Sequence, residues 1–210
     1  MNKEEFIKFL IESDVLKFGE FTTKSGRKTP YFINTGNYDD GRKLSILGEF
    51  YAEVVYRNFE GLTSIFGPAY KGISLAVVTS IKIYDKYGIS IKCSFNRKEL
   101  KDHGEGGIIV GHKFSEDDKV VIVEDVITSG ISIRESMEIL KSNGNPKVLG
   151  VVVSVDRMER GKEKLATEEI KEEFGVNVIS IVKVVDIIEF LKKNNYDINF
   201  VKKMEEYLEF

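Results

Sequence analysis

From residue 63 onward, short apolar segments alternate with segments whose apolar residues recur at helical spacing. Residues 64–67 (SIFG), 119–125 (KVVIVED) and 148–156 (VLGVVVSVD) carry apolar side chains on both faces. Strands of this kind must be covered on both sides, and their alternation with helices is typical of a parallel sheet flanked by helices. Ligands of such sheets bind beyond the carboxyl ends of the strands. We therefore expect the functional residues directly after each buried strand.

The first forty residues have a different pattern. Asn2, followed three residues later by Glu5, indicates the start of a helix. Two short strand-like runs, 18–23 (FGEFTT) and 31–36 (YFINTG), are separated by a turn. We divide the chain at about residue 40, into an N-terminal part (1–40) and an α/β core (41–210) that ends in two helices. The last 24 residues contain no informative motif.

Charge and cysteine content exclude several classes of function. The chain has 31 basic and 34 acidic residues, a net charge of −3, so we expect no nucleic-acid partner. Its one cysteine, Cys93, cannot form an internal disulfide and lies in a strand-like run, where we expect a core residue. No apolar run reaches about 18 residues and the N-terminal segment is charged, so we expect a cytoplasmic protein without membrane contact.

Residues 124–132 (EDVITSGIS) follow a buried strand and precede a helix. Small residues there let backbone N–H groups surround an anion, which the helix N-terminus also attracts. The adjacent carboxylates of Glu124 and Asp125 would repel a phosphate but can accept hydrogen bonds from sugar hydroxyls. Together these features suit a ribose 5-phosphate. The alternative is a capped helix with Asp125 as an ordinary turn residue.

Residues 95–107 (FNRKELKDHGEGG) combine cations with glycines. A nucleic-acid patch is excluded because the acidic residues of the segment balance its basic ones. The glycines indicate a mobile lid, and its cations suit an anionic ligand or leaving group. The alternative is a solvent-exposed surface turn.

These segments resemble a known family. The run 120–132 is similar to the phosphoribosyl pyrophosphate (PRPP) signature of type I phosphoribosyltransferases. Residues 95–107 and 67–73 (GPAYKGI) resemble the catalytic loop and a second motif of the orotate phosphoribosyltransferases. Residues 21–34 and 153–161 resemble the hood over the base and the strand end that carries a base-binding arginine. The resemblance implies a five-stranded parallel sheet flanked by helices, with 1–40 forming the helix and hood.

The resemblance also implies roles for individual residues. The catalytic residues implied are Lys101, Asp125 and Glu124. The PRPP-binding residues implied are Lys24, Tyr70, Lys71, Arg97, Lys98, Lys101, His103, Glu124, Asp125, Val126, Ile127, Thr128, Ser129, Gly130, Ile131 and Ser132. The orotate-binding residues implied are Phe32, Ile33, Thr128 and Arg157. A guanidinium suits the orotate carboxylate, which purines lack.

The reaction implied is the transfer of the phosphoribosyl group from PRPP to orotate, giving orotidine 5′-monophosphate and pyrophosphate in pyrimidine biosynthesis. Mg²⁺ is expected to arrive bound to PRPP, without a dedicated protein metal site. The family works as a homodimer in which the loop 97–107 reaches the neighbour's site. The alternatives are a phosphoribosyltransferase for another base and a non-catalytic PRPP-responsive regulator. A regulator of that kind needs a DNA-binding element, which residues 1–40 do not suggest.

Overall fold

The computed structural model of the protein describes residues 2–22, 28–101, 107–161 and 163–208. The helices are α1 Lys3–Glu12, α2 Gly41–Asn58, α3 Lys71–Tyr87, α4 Ile131–Ser142, α5 Ala166–Phe174, α6 Val184–Lys193 and α7 Ile198–Leu208. The strands are β1 Leu16–Thr22, β2 Lys28–Ile33, β3 Ser64–Gly67, β4 Lys92–Lys101, β5 Gly107–Gly111, β6 Lys119–Ile127, β7 Lys147–Asp156 and β8 Asn177–Lys183. The Asn2 side chain accepts a hydrogen bond from the Glu4 backbone N–H at 3.0 Å, so α1 begins where the sequence predicts.

The central sheet has the strand order β5-β4-β3-β6-β7-β8. The pairs β4/β3, β3/β6, β6/β7 and β7/β8 are parallel, which confirms the expected five parallel strands. The edge strand β5 is antiparallel to β4 and makes the sheet six-stranded. Residues 97–101, which the sequence placed in a lid, belong to β4, because this strand continues beyond its parallel neighbour and pairs with β5.

Both faces of the sheet are buried, as the apolar strands require. On β6, Val121 and Val123 belong to a core shared with α1, α2, α3, α6 and α7. Val120 and Ile122 point to the opposite face and pack with residues of α4 and α5. Alternate residues of one strand therefore fill two separate cores. Cys93 is half-buried against the first core, and burial raises the pKa of its thiol.

The antiparallel pair β1–β2 lies against the C-terminal helices. Tyr31 of β2 is fully buried and meets the Tyr207 ring of α7 edge to face, with centroids 5.8 Å apart. Phe18 of β1 packs near Tyr196 and Phe200 at centroid distances of 6.2 and 6.5 Å. The last residues, which carry no sequence motif, thus hold the hairpin. None of the described helices is long and apolar enough to cross a membrane.

The end of β3 and the start of α3 approach each other backbone to backbone. A Cβ atom on Gly67 would lie 1.9 Å from the Gly72 carbonyl oxygen, and one on Gly72 would lie 2.7 Å from Cδ of Pro68. Side chains at these two positions would push the strand and helix apart. The two glycines therefore fix the turn of residues 68–70 at the carboxyl edge of the sheet.

We predict that Gly67→Ala lowers the free energy of unfolding by about 3 kcal/mol or more, because the clash is with backbone that cannot move aside. Gly41→Ala is the matched control, since a Cβ atom there meets nothing within 4 Å. This control should be neutral or slightly stabilising. Urea denaturation of both variants measures the difference, and equal stabilities would contradict the prediction.

Candidate active site

Charged side chains converge at the carboxyl edge of the sheet, where the strand pattern predicted them. Lys71 begins α3 after β3, and Lys98 lies on β4. Glu124 and Asp125 are near the end of β6, and Arg157 directly follows β7. Because neighbouring parallel strands end at the same edge, residues from four separate segments share one surface.

The segment between β6 and α4 forms an open, concave loop. Gly130 has φ +75°, a left-handed conformation that favours glycine, and α4 begins at the next residue. The N–H groups of a helix's first turn lack partners within the helix. Beside the loop is a cavity of about 290 Å³. Its lining residues are Lys98, Glu124, Val126, Ile127, Thr128, Ser129, Gly130, Ile131, Ser132, Ile133 and Glu135.

Arg134 braces this loop from behind, a role that the sequence did not indicate. Its Nη1 donates to the Ser129 carbonyl at 2.9 Å. Its Nη2 and Nε donate to Glu169 at 2.9 Å and to Glu173 at 2.7 Å, both on α5. The guanidinium therefore links the loop to a neighbouring helix. No short motif reveals this contact, because Arg134 and its acidic partners are far apart in sequence.

Glu124 is buried and held at both carboxylate oxygens. Oε1 accepts a hydrogen bond from the Asp125 backbone N–H at 3.0 Å, and Oε2 accepts one from the Ser132 hydroxyl. Burial raises the pKa of Glu124 to about 7, and the negative charge of Asp125 adds to this effect. Near neutral pH this carboxyl group therefore exists in both protonation states.

Asp125 is tied to the N-terminal part of the chain. Its Oδ2 accepts a hydrogen bond from the Thr35 hydroxyl at 2.5 Å and lies 3.1 Å from Nζ of Lys71. Nζ of Lys71 also donates to the Thr35 hydroxyl oxygen at 2.6 Å. Thr35 follows β2 in a short 3-10 turn, Thr35–Asn37. The sequence analysis missed Thr35, since nothing in the sequence shows that this turn reaches the end of β6.

The backbone of the carboxylate pair is also fixed. The Tyr51 hydroxyl donates to the Glu124 carbonyl at 2.6 Å, and the Ser154 hydroxyl donates to the Asp125 carbonyl at 2.5 Å. Tyr51 is fully buried and Ser154 is nearly so. These bonds restrict the orientation of the strand end that presents both carboxylates.

Arg157 lies in a buried pocket. Its side chain is 9% exposed, and its Nε donates to Oε1 of Glu159 at 2.8 Å. The guanidinium carbon lies 4.8 Å from the centre of the Tyr31 ring. Nη2 is buried and has no hydrogen-bond partner among the residues that the structure describes. Burial acts to lower the pKa of Arg157, but Tyr31, Glu159 and Tyr207 outweigh it and raise the pKa. Arg157 and Glu159 do form an ion pair. It differs from an ordinary surface salt bridge because the arginine side chain is buried.

The remaining residues predicted to bind PRPP are described only in part. Nη1 of Arg97 donates to the Gly107 carbonyl at 3.0 Å, which joins β4 to β5. Lys98 lines the loop cavity of its own chain. Tyr70, just before α3, is 74% exposed. Two predicted residues, Lys24 and His103, and the side chain of a third, Lys101, lie outside the described residues.

Phe32 and Ile33 point to opposite faces of β2. Phe32 is 42% exposed and packs on Phe21 with centroids 5.5 Å apart. Ile33 is buried in the core that includes Tyr31. The Phe32 ring is therefore open to a ligand, whereas the Ile33 side chain packs inside the protein.

In the described ranges no group of three or more His, Cys, Asp and Glu side chains is arranged to hold a metal ion. Glu124 lines the loop cavity, and Asp125 directly follows it on β6. Two such oxygen donors suit a hard cation that keeps most of its water or ligand oxygens.

Comparison with known proteins places the chain in a family. A phosphoribosyl transferase domain matches residues 34–187. An orotate phosphoribosyltransferase of Clostridium acetobutylicum is 52% identical over 195 residues, which span 92% of this chain and 87% of that protein. One of Clostridium beijerinckii is 54% identical over 191 residues, 90% of this chain and 85% of that protein.

A solved structure supports the same assignment. The crystal structure of orotate phosphoribosyltransferase from Francisella tularensis superimposes with a TM-score of 0.84 at 38% identity. The match covers 97% of this chain and 96% of that chain. In both sequence and fold, the chain belongs to the phosphoribosyltransferase family and, within it, to the orotate phosphoribosyltransferases.

Proposed function

We propose that the protein transfers the 5-phosphoribosyl group of PRPP to orotate, giving orotidine 5′-monophosphate and pyrophosphate. The main observation is the position of Glu124 in a cavity of about 290 Å³ at the N-terminus of α4, with Asp125 directly after it on β6. This arrangement provides hydroxyl acceptors and an anion site for one ribose 5-phosphate. The alternatives, another base or a non-catalytic regulator, are not favoured, because the similar proteins are orotate phosphoribosyltransferases.

PRPP is proposed to bind across the carboxyl edge of the sheet. Its 5-phosphate occupies the loop 126–132, and its ribose hydroxyls donate to Glu124 and Asp125. Lys71 and Tyr70 border the diphosphate, with Lys24 completing that side. Nζ of Lys71 lies 3.1 Å from Oδ2 of Asp125, so the proposed diphosphate and ribose contacts are adjacent.

Orotate is proposed to lie between the hood and the end of β7. The exposed ring of Phe32 offers a surface for stacking on the pyrimidine. Arg157 offers its unpaired Nη2 to the carboxylate, and Thr128 offers a hydroxyl. A contribution from Ile33 stays a prediction, which its backbone could fulfil, because its side chain lies in the core.

The chemistry is a substitution at the anomeric carbon. The orotate ring nitrogen forms the new bond and gives up its proton to the departing pyrophosphate, whose bond to the sugar breaks, and positive charge develops on the ribose, as in glycoside cleavage. Asp125 and Glu124 hold the sugar and place negative charge close to that carbon. Cations of the loop, Lys101 above all, neutralise the pyrophosphate as it leaves. Arg97, Lys98 and His103 are the other proposed contributors.

Mg²⁺ is proposed to enter with PRPP. Phosphoribosyltransferases generally use this ion with PRPP, and the pair of acidic residues beside the cavity fits a cation that keeps most of its ligand and water oxygens. The ion neutralises charge on the diphosphate. A cytoplasmic location also stays a prediction from the sequence.

The activity is tested by following orotate consumption by ultraviolet absorbance with purified protein. We expect turnover only when PRPP and Mg²⁺ are both present. Uracil and adenine, offered at the same concentration, should react at least 100-fold more slowly, because neither presents a carboxylate to Arg157. Equal rates with uracil would refute the assignment of orotate.

The raised pKa of Glu124 predicts a stability that depends on pH. Below about pH 4.5 the group is protonated in both folded and unfolded chains and carries no penalty. As the pH rises from about 4.5 to about 7, the unfolded chain is ionised while the folded chain keeps its proton, so the folded chain loses stability, and above about pH 7 the loss levels off. Glu124→Gln cannot ionise, so it should be more stable than wild type at pH 8 by about 1–3 kcal/mol. This difference should vanish near pH 4.5.

Urea denaturation of the ligand-free protein between pH 4.5 and 8 measures this effect. Glu135→Gln is the matched control, because Glu135 is exposed and lies on the rim of the same cavity. The control should follow the wild-type profile throughout. If the difference between Glu124→Gln and wild type does not change with pH, Glu124 is not the titrating group.

We further propose that the active protein is a homodimer with shared sites. The outer surface of α2 and α3 exposes an apolar group formed by Tyr56, Val77, Ile81 and Tyr84, which are 49%, 39%, 52% and 59% exposed. A contiguous apolar patch on a folded protein is typical of an interaction surface. The edge hairpin β4–β5, which carries the cationic loop, can then serve a neighbouring site.

Mixed dimers test the sharing. Lys101→Ala damages a residue that a chain is proposed to donate, and Asp125→Ala damages one that it keeps. Random pairing of equal amounts makes half the dimers mixed, each with one intact site, so activity should recover to about a quarter of wild type. Native mass spectrometry of tagged chains confirms the exchange of subunits.

Lys98→Ala is the matched control for this experiment. Lys98 lines the cavity of its own chain, so its loss and the loss of Asp125 should damage the two different sites of a mixed dimer. Pairing Lys98→Ala with Asp125→Ala should therefore restore no activity. If Lys101→Ala behaves like Lys98→Ala after complete exchange, Lys101 serves its own chain.

A further inference from the structure

The C-terminal helix α7 is connected to Arg157, in the proposed base site, by a series of hydrogen bonds. The Tyr207 hydroxyl of α7 donates to Oε1 of Glu159 at 2.8 Å. The same oxygen accepts the hydrogen bond from Nε of Arg157 at 2.8 Å. One carboxylate oxygen is therefore shared between a helix without any sequence motif and the arginine proposed to bind orotate.

The three side chains joined by these hydrogen bonds are largely shielded from water. The side chains of Arg157 and Glu159 are 9% and 20% exposed, and Tyr207 is 7% exposed. The Tyr31 ring contacts both ends, since it lies below the guanidinium and meets the Tyr207 ring edge to face. Charge-assisted hydrogen bonds are stronger away from water, and the groups they join have little freedom to move.

Glu159 uses only one side of the Arg157 guanidinium. Glu159 occupies the Nε side, whereas Nη2 is buried without a partner among the described residues. A buried donor without a partner is unfavourable, and a ligand carboxylate would satisfy it. Glu159 thus fixes the plane of the guanidinium, and Tyr207 fixes Glu159.

We propose that Tyr207 and Glu159 are positioning residues for Arg157, so that α7 sets the affinity of the enzyme for the carboxylate of its base. This inference rests on the proposed function, in which Arg157 binds orotate. Neither residue is proposed to touch the substrate. Their effect passes through the orientation of Arg157 and is specific to orotate, because the described residues proposed for PRPP lie on other segments: on β4, on β6 and at the start of α3 and α4.

Tyr207 could instead act only as packing for the hood. Tyr207→Phe separates the two roles, because it keeps the ring against Tyr31 and removes the hydroxyl that bonds Glu159. Tyr196→Phe is the matched control, since Tyr196 also precedes the chain end and packs its ring on the hood at Phe18. The midpoint of thermal unfolding should be similar in the two variants.

Steady-state kinetics in orotate and in PRPP provide the decisive measurement. Tyr207→Phe should raise KM for orotate about 3–10-fold, the loss expected for one hydrogen bond to a charged group. KM for PRPP should stay within about twofold of wild type. In a Glu159→Leu background, where no oxygen is left at this position to accept from Tyr207, the same Tyr207→Phe change should raise KM for orotate by a smaller factor than in wild type.

The inference is overturned if Tyr207→Phe leaves KM for orotate unchanged, raises both KM values together, or acts equally in the Glu159→Leu background. Arg157→Ala distinguishes this failure from a failure of the proposed function. If Arg157→Ala raises KM for orotate by about 50-fold or more while Tyr207→Phe has no effect, only the role of α7 is wrong. If Arg157→Ala has no effect on KM for orotate, the proposed base site itself is wrong.

Discussion

The placement of a buried carboxylate, Glu124, next to a half-buried one, Asp125, at the end of β6 is the constraint on which the site depends. Carboxylates without partners are costly to bury, so each oxygen needs a donor or a cation nearby. Ser132 and a backbone N–H supply these for Glu124, while Thr35 and Lys71 contact Oδ2 of Asp125 and the Val126 backbone N–H donates to its Oδ1. These partners come from the hood, the start of α3 and the start of α4. Satisfying one acidic pair therefore brings together the segments that form the rest of the site.

The strand pattern was enough to predict much of this structure. The both-face apolar runs gave the five parallel strands, because such strands have few alternatives to a covered parallel sheet. The same pattern predicted that Lys71, Asp125 and Arg157 would meet at one edge. The antiparallel strand β5 was missed because glycines and charges before it indicate a loop, whereas pairing with the extension of β4 makes the segment a strand.

Contacts between distant segments account for what the sequence could not show. Arg134 and Glu169 are 35 residues apart, and Tyr207 and Glu159 are 48 apart. In each pair, tertiary packing and not local spacing decides which side chains become partners. Thr35 was missed for the same reason. Motifs reveal residues that a ligand needs at a fixed spacing, but supporting residues require only that the fold bring them near.

The supporting contacts divide the site into two parts. On one face of the sheet, Arg134 of α4 links the loop before this helix to α5. On the other face, Tyr207 of α7 bonds Glu159, which in turn bonds Arg157. Because separate helices support the two parts, the affinities proposed for phosphate and for the base carboxylate are expected to change independently. Asp125, proposed to bind the sugar, connects to the N-terminal part of the chain through Thr35, so the sugar is the proposed ligand group through which the two parts meet.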